Sequence, residues 1–188
     1  MKKCLISAAI MLAAAPLTLH AEAADPNLNQ ARTLVKQFAG QLQAEVAAGM
    51  KAGGPVHTIE VCSVKAPAIA AQITESSGWQ VGRTSLKLRN PANTPDAWEL
   101  QVLEQFEARK AAGEPVDKLE FAEVVGSGDD QQYRYMKAIP TGQVCLNCHA
   151  AEIKPPVEEK LSQIYPQDQA RGFSLGDIRG AFTLSKAN

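Results

Sequence analysis

From Asn27 to Met50, apolar residues recur at three- and four-residue steps: Leu28, Ala31, Val35, Phe38, Leu42 and Val46. That period places them on one face of a helix, so the pattern predicts a core-facing amphipathic helix. Asp25-Pro26 supplies a start signal, and Gly49 with Gly53-Gly54-Pro55 supplies the stop. Val56 to Cys62 leads into a second helical stretch marked by Ala66, Ile69, Ala70 and Ile73. The pattern then changes. Gly78 to Pro95 begins with mild alternation and ends in turn residues. A connection this long in a compact domain usually has a task or is disordered, and Trp79, Leu86 and Leu88 argue against disorder.

The second half reads as helix, hairpin, helix, strand. Asp96 to Ala112 is predicted helical, with Asp96 and Glu99 in capping-box spacing and Gly113 and Pro115 at the exit. Trp98, Val102 and Phe106 share one face. Lys118 to Val125 and Gln131 to Ile139 alternate as strands around Gly126-Ser127-Gly128-Asp129-Asp130, a hairpin signature. Pro155-Pro156 breaks the chain before a short helix, Val157 to Ile164, and Ile178 to Leu184 is a final strand. The sum is an α+β fold: helices first, then an antiparallel sheet.

Between the hairpin and the last helix lies Cys145-Leu146-Asn147-Cys148-His149. This is C-x-x-C-H, the attachment pattern of c-type haem. Each thiol adds across one vinyl group, and the adjacent histidine binds iron from one face. A zinc site needs four ligands, and nothing after His149 completes one. A redox dithiol usually sits at a strand-to-helix turn of a βαβ unit, a context missing here.

Composition and compartment sharpen this reading. Met1-Lys2-Lys3, an apolar run from Leu5 to Ala15, and small residues before Ala21 or Ala23 predict a secretory signal peptide over residues 1–23. The run is shorter than the roughly 20 residues of a spanning helix. The expectation is an exported, periplasmic protein with one domain over residues 24–188 and no membrane span after cleavage. A formal net charge of −1 over 188 residues gives no reason to expect a nucleic-acid partner. Removing Cys4 leaves Cys62, Cys145 and Cys148. If two carry haem, Cys62 has no intramolecular disulfide partner. It is then a buried inert thiol, an intermolecular disulfide, or a thiolate ligand to iron. His57, Met50 and Met136 compete for that second axial position. Arg83, Lys87 and Arg89 are candidates to pair the haem propionates, because guanidinium binds carboxylate in a two-pronged way.

Four stretches together resemble a known family. They are Ile59 to Ala70 (I-E-V-C-S-V-K-A-P-A-I-A), Val81 to Asp96 (V-G-R-T-S-L-K-L-R-N-P-A-N-T-P-D), Cys145 to His149, and Gly176 to Ala181 (G-D-I-R-G-A). The family comprises small exported monohaem c-type cytochromes with a PAS-like fold, formerly described only as a domain of unknown function. The resemblance implies a PAS-like antiparallel sheet flanked by helices, one covalent haem c, and iron ligated by His149 and Cys62.

A thiolate donates electron density and stabilises ferric iron, so a potential below that of a His/Met cytochrome is expected. Two roles follow. In one, reduction weakens the iron–cysteine bond, Cys62 leaves, and CO or NO enters; a redox or signalling partner protein reads the change. In the other, the protein is a simple electron carrier without ligand exchange. An enzyme would need an open iron position and a distal acid–base group. His57 is the one remaining histidine of the mature chain, so that case is thin.

Overall fold

The computed structural model describes residues 25–187. The signal-peptide reading of residues 1–23 and Cys4 therefore falls outside the described residues. The first element, α1, spans Pro26–Ser77 and is broken by non-helical backbone at Gly53 and Gly54. Asp25 caps it, its side chain accepting from the amides of Asn27 and Leu28. Gly54 takes the left-handed φ of +70° that a side chain disfavours, which sharpens the break. Pro55 then starts the second half, where a missing N–H costs no helical bond. The expected pair of helices is present, joined at the expected glycines. Gly78 closes the second half in the left-handed conformation.

The sheet has four strands: β1 (Gln80–Thr84), β2 (Glu120–Val125), β3 (Gln132–Pro140) and β4 (Ile178–Ala187). Their order is β1-β4-β3-β2, all neighbours antiparallel. Between β1 and β2 runs α2 (Ala97–Ala111), started by the reciprocal Asp96–Glu99 capping box. After β3 come a tight turn, Gln143–Cys145, and two helices: α3 (Leu146–His149) and α4 (Pro155–Ile164). Two details differ from expectation. β1 precedes α2, so the sheet is not assembled wholly after the helices. Pro155 and Pro156 occupy the first turn of α4 and begin it, because amides there have no intrahelical acceptor to lose.

Alternation along the strands divides the interior. On one face Tyr133, Tyr135, Phe182 and Leu184 pack against Ala31, Leu34, Val35, Phe38, Ile69 and Ile73 of α1. On the other, Met136, Ala138, Ile178 and Ala181 pack against Val102, Leu103 and Phe106 of α2. Met136 thus fills the α2-side core. A third, smaller cluster joins Ile59 of α1 to Val157 and Leu161 of α4, with Cys148 and Tyr165 at its margin. This cluster brings the second half of α1 onto the C-x-x-C-H segment. No described helix is long and apolar enough to cross a membrane.

Candidate functional site

His149 ends the four-residue helix α3, and its surroundings fix the imidazole. Nδ1 lies 2.8 Å from the Ala170 carbonyl oxygen. A carbonyl only accepts, so Nδ1 carries the hydrogen and Nε2 presents a lone pair. Around Nε2 stand two guanidinium groups: Arg179 Nε at 3.3 Å, donating, and an Arg89 nitrogen at 3.4 Å. The ring meets Phe173 edge-on, centroids 6.0 Å apart. Burial, aided by the charges of Arg179 and Arg89, pushes the imidazole pKa down to about 2. His149 is therefore a neutral nitrogen donor across the physiological range.

The segment that orients His149 is itself tied down by Arg89. Its guanidinium donates to the Cys148 carbonyl at 2.5 Å and grips the Asp168 carboxylate through two nitrogens, each at 3.2 Å. Asp168 also accepts from the Ala170 amide at 2.9 Å and from Arg171 Nε at 2.8 Å. The pair is well buried, 14% exposed for the Arg89 side chain and 3% for Asp168. Burial raises the Asp168 pKa, but Arg89, the Ala170 amide and Arg171 together outweigh it, and the carboxyl is held below its usual range. Two further bonds, Gly172 amide to Ala150 carbonyl and Phe173 amide to His149 carbonyl, stitch the loop over residues 165–173 to the C-x-x-C-H segment.

Cys62 projects from the second half of α1 and is half-buried, as are Cys145 and Cys148. All three are free thiols. Cys62, Cys148, Arg83, Arg89 and Tyr165 lie near enough to perturb one another's charge. Burial pushes the Cys62 thiol up, while the positive charges of Arg83 and Arg89 pull the other way. Burial likewise raises Cys148, against Arg89. Arg83 stands at the end of β1 with its guanidinium over the Phe38 ring, 5.6 Å from the centroid, and burial lowers its pKa. Lys87 donates to the Arg171 carbonyl at 3.2 Å and sits 5.1 Å from the Phe173 ring.

The structure thus brings the sequence-predicted residues Cys62, Arg83, Arg89, Cys145, Cys148 and His149 into one region, between the second half of α1, the end of β1 and the turn after β3. His57 is exposed one turn before Cys62. Among the described residues, no three or more His, Cys, Asp or Glu side chains converge as a metal cage. The sequence reading missed Asp168, Ala170 and Arg179. Asp168 and Ala170 lie on an irregular loop with no periodic signal. Arg179, however, lies within the G-D-I-R-G-A stretch already singled out. Beside Arg179 is a cavity of about 240 Å³ lined by Ser85, Lys87, Lys110, Phe173, Asp177 and Gly180, among others.

Fold and site define a class: a single antiparallel sheet between helices, carrying a cysteine–histidine centre at one end. A model of the Tll0287-like family matches residues 20–186, and the chain belongs to that family. The crystal structure of the cyanobacterial heme-protein Tll0287 is similar, with a TM-score of 0.68 at 27% identity, covering 88% of this chain and 98% of that one. No curated protein matches the chain.

Proposed function

We propose that this chain is an exported, periplasmic monohaem c-type cytochrome, with a PAS-like domain over residues 24–188 behind a signal peptide. Cys145 and Cys148 would carry one haem through thioethers, and His149 and Cys62 would bind its iron. One observation carries this reading. The His149 ring holds its hydrogen on Nδ1, against the Ala170 carbonyl, and leaves Nε2 unprotonated, its lone pair turned to Arg179, next in sequence to a pair of free thiols. A carbonyl partner of this kind is the usual way a metal-binding imidazole is oriented. The residues fit the group: two thiols at attachment spacing, one imidazole donor, a third thiol from a different helix, and nearby guanidinium groups. The similar structure is described as that of a heme-protein, which supports haem binding by this chain.

Bound here, haem supplies one-electron chemistry at iron. The chain's part is to hold the two axial donors on unequal supports. His149 is braced by Ala170 and by the bonds between residues 149–150 and 172–173. Cys62 rides on a half-helix that begins at the Gly53–Gly54 break. Were haem bound and reduced by a redox partner protein, Cys62 would be the donor able to leave, its thiolate taking up a proton, and the site would then admit CO or NO. A redox or gas sensor, read by a signalling partner, uses that opening.

Electron paramagnetic resonance of the ferric protein beside Cys62→Ala tests the ligation. A low-spin signal with the narrow g-spread of thiolate, lost in the variant, supports His149/Cys62. An unchanged signal removes Cys62 and moves a simple electron carrier ahead. Cys145→Ala with Cys148→Ala is expected to abolish covalent haem on a denaturing gel. Covalent haem surviving in that double variant refutes the attachment assignment.

A further inference from the structure

All seven arginines of the chain lie among the described residues. Five of them, Arg32, Arg89, Arg109, Arg134 and Arg171, have a carboxylate within ion-pair distance. Arg83 and Arg179 form no ion pair among the described residues. Burial lowers the pKa of both guanidinium groups. Arg179 is served by neutral acceptors: Ser85 Oγ at 3.1 Å, the Lys87 carbonyl at 3.4 Å, and His149 Nε2 at 3.3 Å. The Phe173 ring lies 5.4 Å from its guanidinium carbon. Arg83 has the Phe38 ring. Asp168, the nearby acid that acts on Arg179, is already held by Arg89, Arg171 and the Ala170 amide.

A half-buried guanidinium without an anion is costly, and two that repel one another are costlier. Arg83 and Arg179 do lie close enough to repel. One flanks Cys62 and the other touches His149, so both cations border the same site. An occupant with two negative groups would satisfy both.

We propose that Arg83 and Arg179 are a two-armed clamp for the two propionate carboxylates of the haem, while Arg89 serves as a brace of the attachment segment and does not bind propionate. The inference rests on the haem reading above and deepens it. Iron and Arg179 compete for one lone pair on Nε2, so Arg179 gives up that contact in the loaded protein. Its guanidinium is then released to a carboxylate, where a fork of donors meets two oxygens.

The test uses the haem-loaded protein, with Arg83→Gln, Arg179→Gln and Arg89→Gln read by resonance Raman spectroscopy and redox titration. Haem retention on a denaturing gel is checked first. Wild type without covalent haem refutes the proposed function and leaves nothing to clamp. With haem in place, Arg83→Gln and Arg179→Gln are each expected to displace the propionate bending band. Each should also shift the ferric/ferrous ratio about tenfold toward ferric, about 59 mV for one electron. Arg179→Lys restores most of the potential but leaves the band displaced, because the charge returns without the fork. If a Gln variant does not fold, Arg83→Lys and Arg179→Lys read the same band. An unmoved band in both positions overturns the clamp, as does a band moved by Arg89→Gln alone.

Discussion

Asp168→Asn removes the charge that Arg89 and Arg171 share while keeping the size of the side chain. In the native protein the carboxylate receives three bonds from guanidinium nitrogens, at 3.2, 3.2 and 2.8 Å, and one from the Ala170 amide at 2.9 Å. The amide of asparagine keeps one acceptor oxygen and turns an NH2 group toward a cation. Breaking one side of a buried ion pair costs about 3–5 kcal/mol. Arg171 is partly exposed and has Glu158 as a second partner, so its share is recoverable. The loss expected is therefore about 3 kcal/mol, mostly at Arg89. At about 2–4 °C per kcal/mol for a chain of this size, the melting temperature should fall by about 6–12 °C. The assay is thermal unfolding by circular dichroism at neutral pH, wild type and variant matched for haem content. Electron paramagnetic resonance of the same samples reads the local effect. Asp168 positions Ala170, whose carbonyl orients His149, so the g-values should shift as well. A melting temperature within about 2 °C of wild type, with unchanged g-values, would refute the view that Arg89–Asp168 braces the histidine.

Two further outcomes follow from the packing. Gly180→Ala would place a methyl carbon 2.4 Å from the Thr84 carbonyl oxygen and 3.0 Å from Ser85 Cβ, at a backbone crossing that cannot yield cheaply. A loss of about 2–4 kcal/mol in denaturant unfolding is expected; a loss under about 1 kcal/mol would contradict that crowding. Glu120 pairs with Arg32 and accepts from the Tyr135 hydroxyl at 2.7 Å, and the bond from Arg32 holds its carboxyl below the usual range. A depressed carboxylate stabilises the fold above its unfolded pKa, about 4.3, and that stability is lost as pH falls through the folded value. Glu120→Gln should cost about 1 kcal/mol at pH 7 and flatten the stability profile below about pH 4.5; an unchanged acid limb would refute the assignment.

Local signals were the readable ones. The Asp25-Pro26 start, the Gly53-Gly54-Pro55 break, the Asp96–Glu99 box and the hairpin around Gly126 all act within a few residues, and each stands where its chemistry places it. The placement of β1 was not readable, because Gln80 pairs with Ser185 across more than half the chain and no short pattern encodes that partner. The site divides in the same way. Cys145, Cys148 and His149 are adjacent in sequence. Arg83 and Arg89 share the distinctive stretch before α2, but only the fold shows that Asp168 occupies Arg89 and that no acid pairs Arg83 among the described residues. Arg179, at the start of β4 beside the register shift at Ile139/Pro140, donates to His149 across 30 residues of chain, a contact no local pattern encodes.

The strand order β1-β4-β3-β2 also sets a sequence of events. β4 bonds to both β1 and β3, so within the sheet the early strand and the hairpin stay unlinked until residues 178–187 arrive. A chain emerges from a ribosome or a translocation pore N-terminus first. Residues 145–149 are therefore outside, and their thiols reachable, before the strand that unites the sheet exists. Sulfur chemistry at Cys145 and Cys148 has an interval in which the chain is still open. Closure by β4, carrying Arg179 at its start, comes afterwards and shuts the site around whatever has been joined to it.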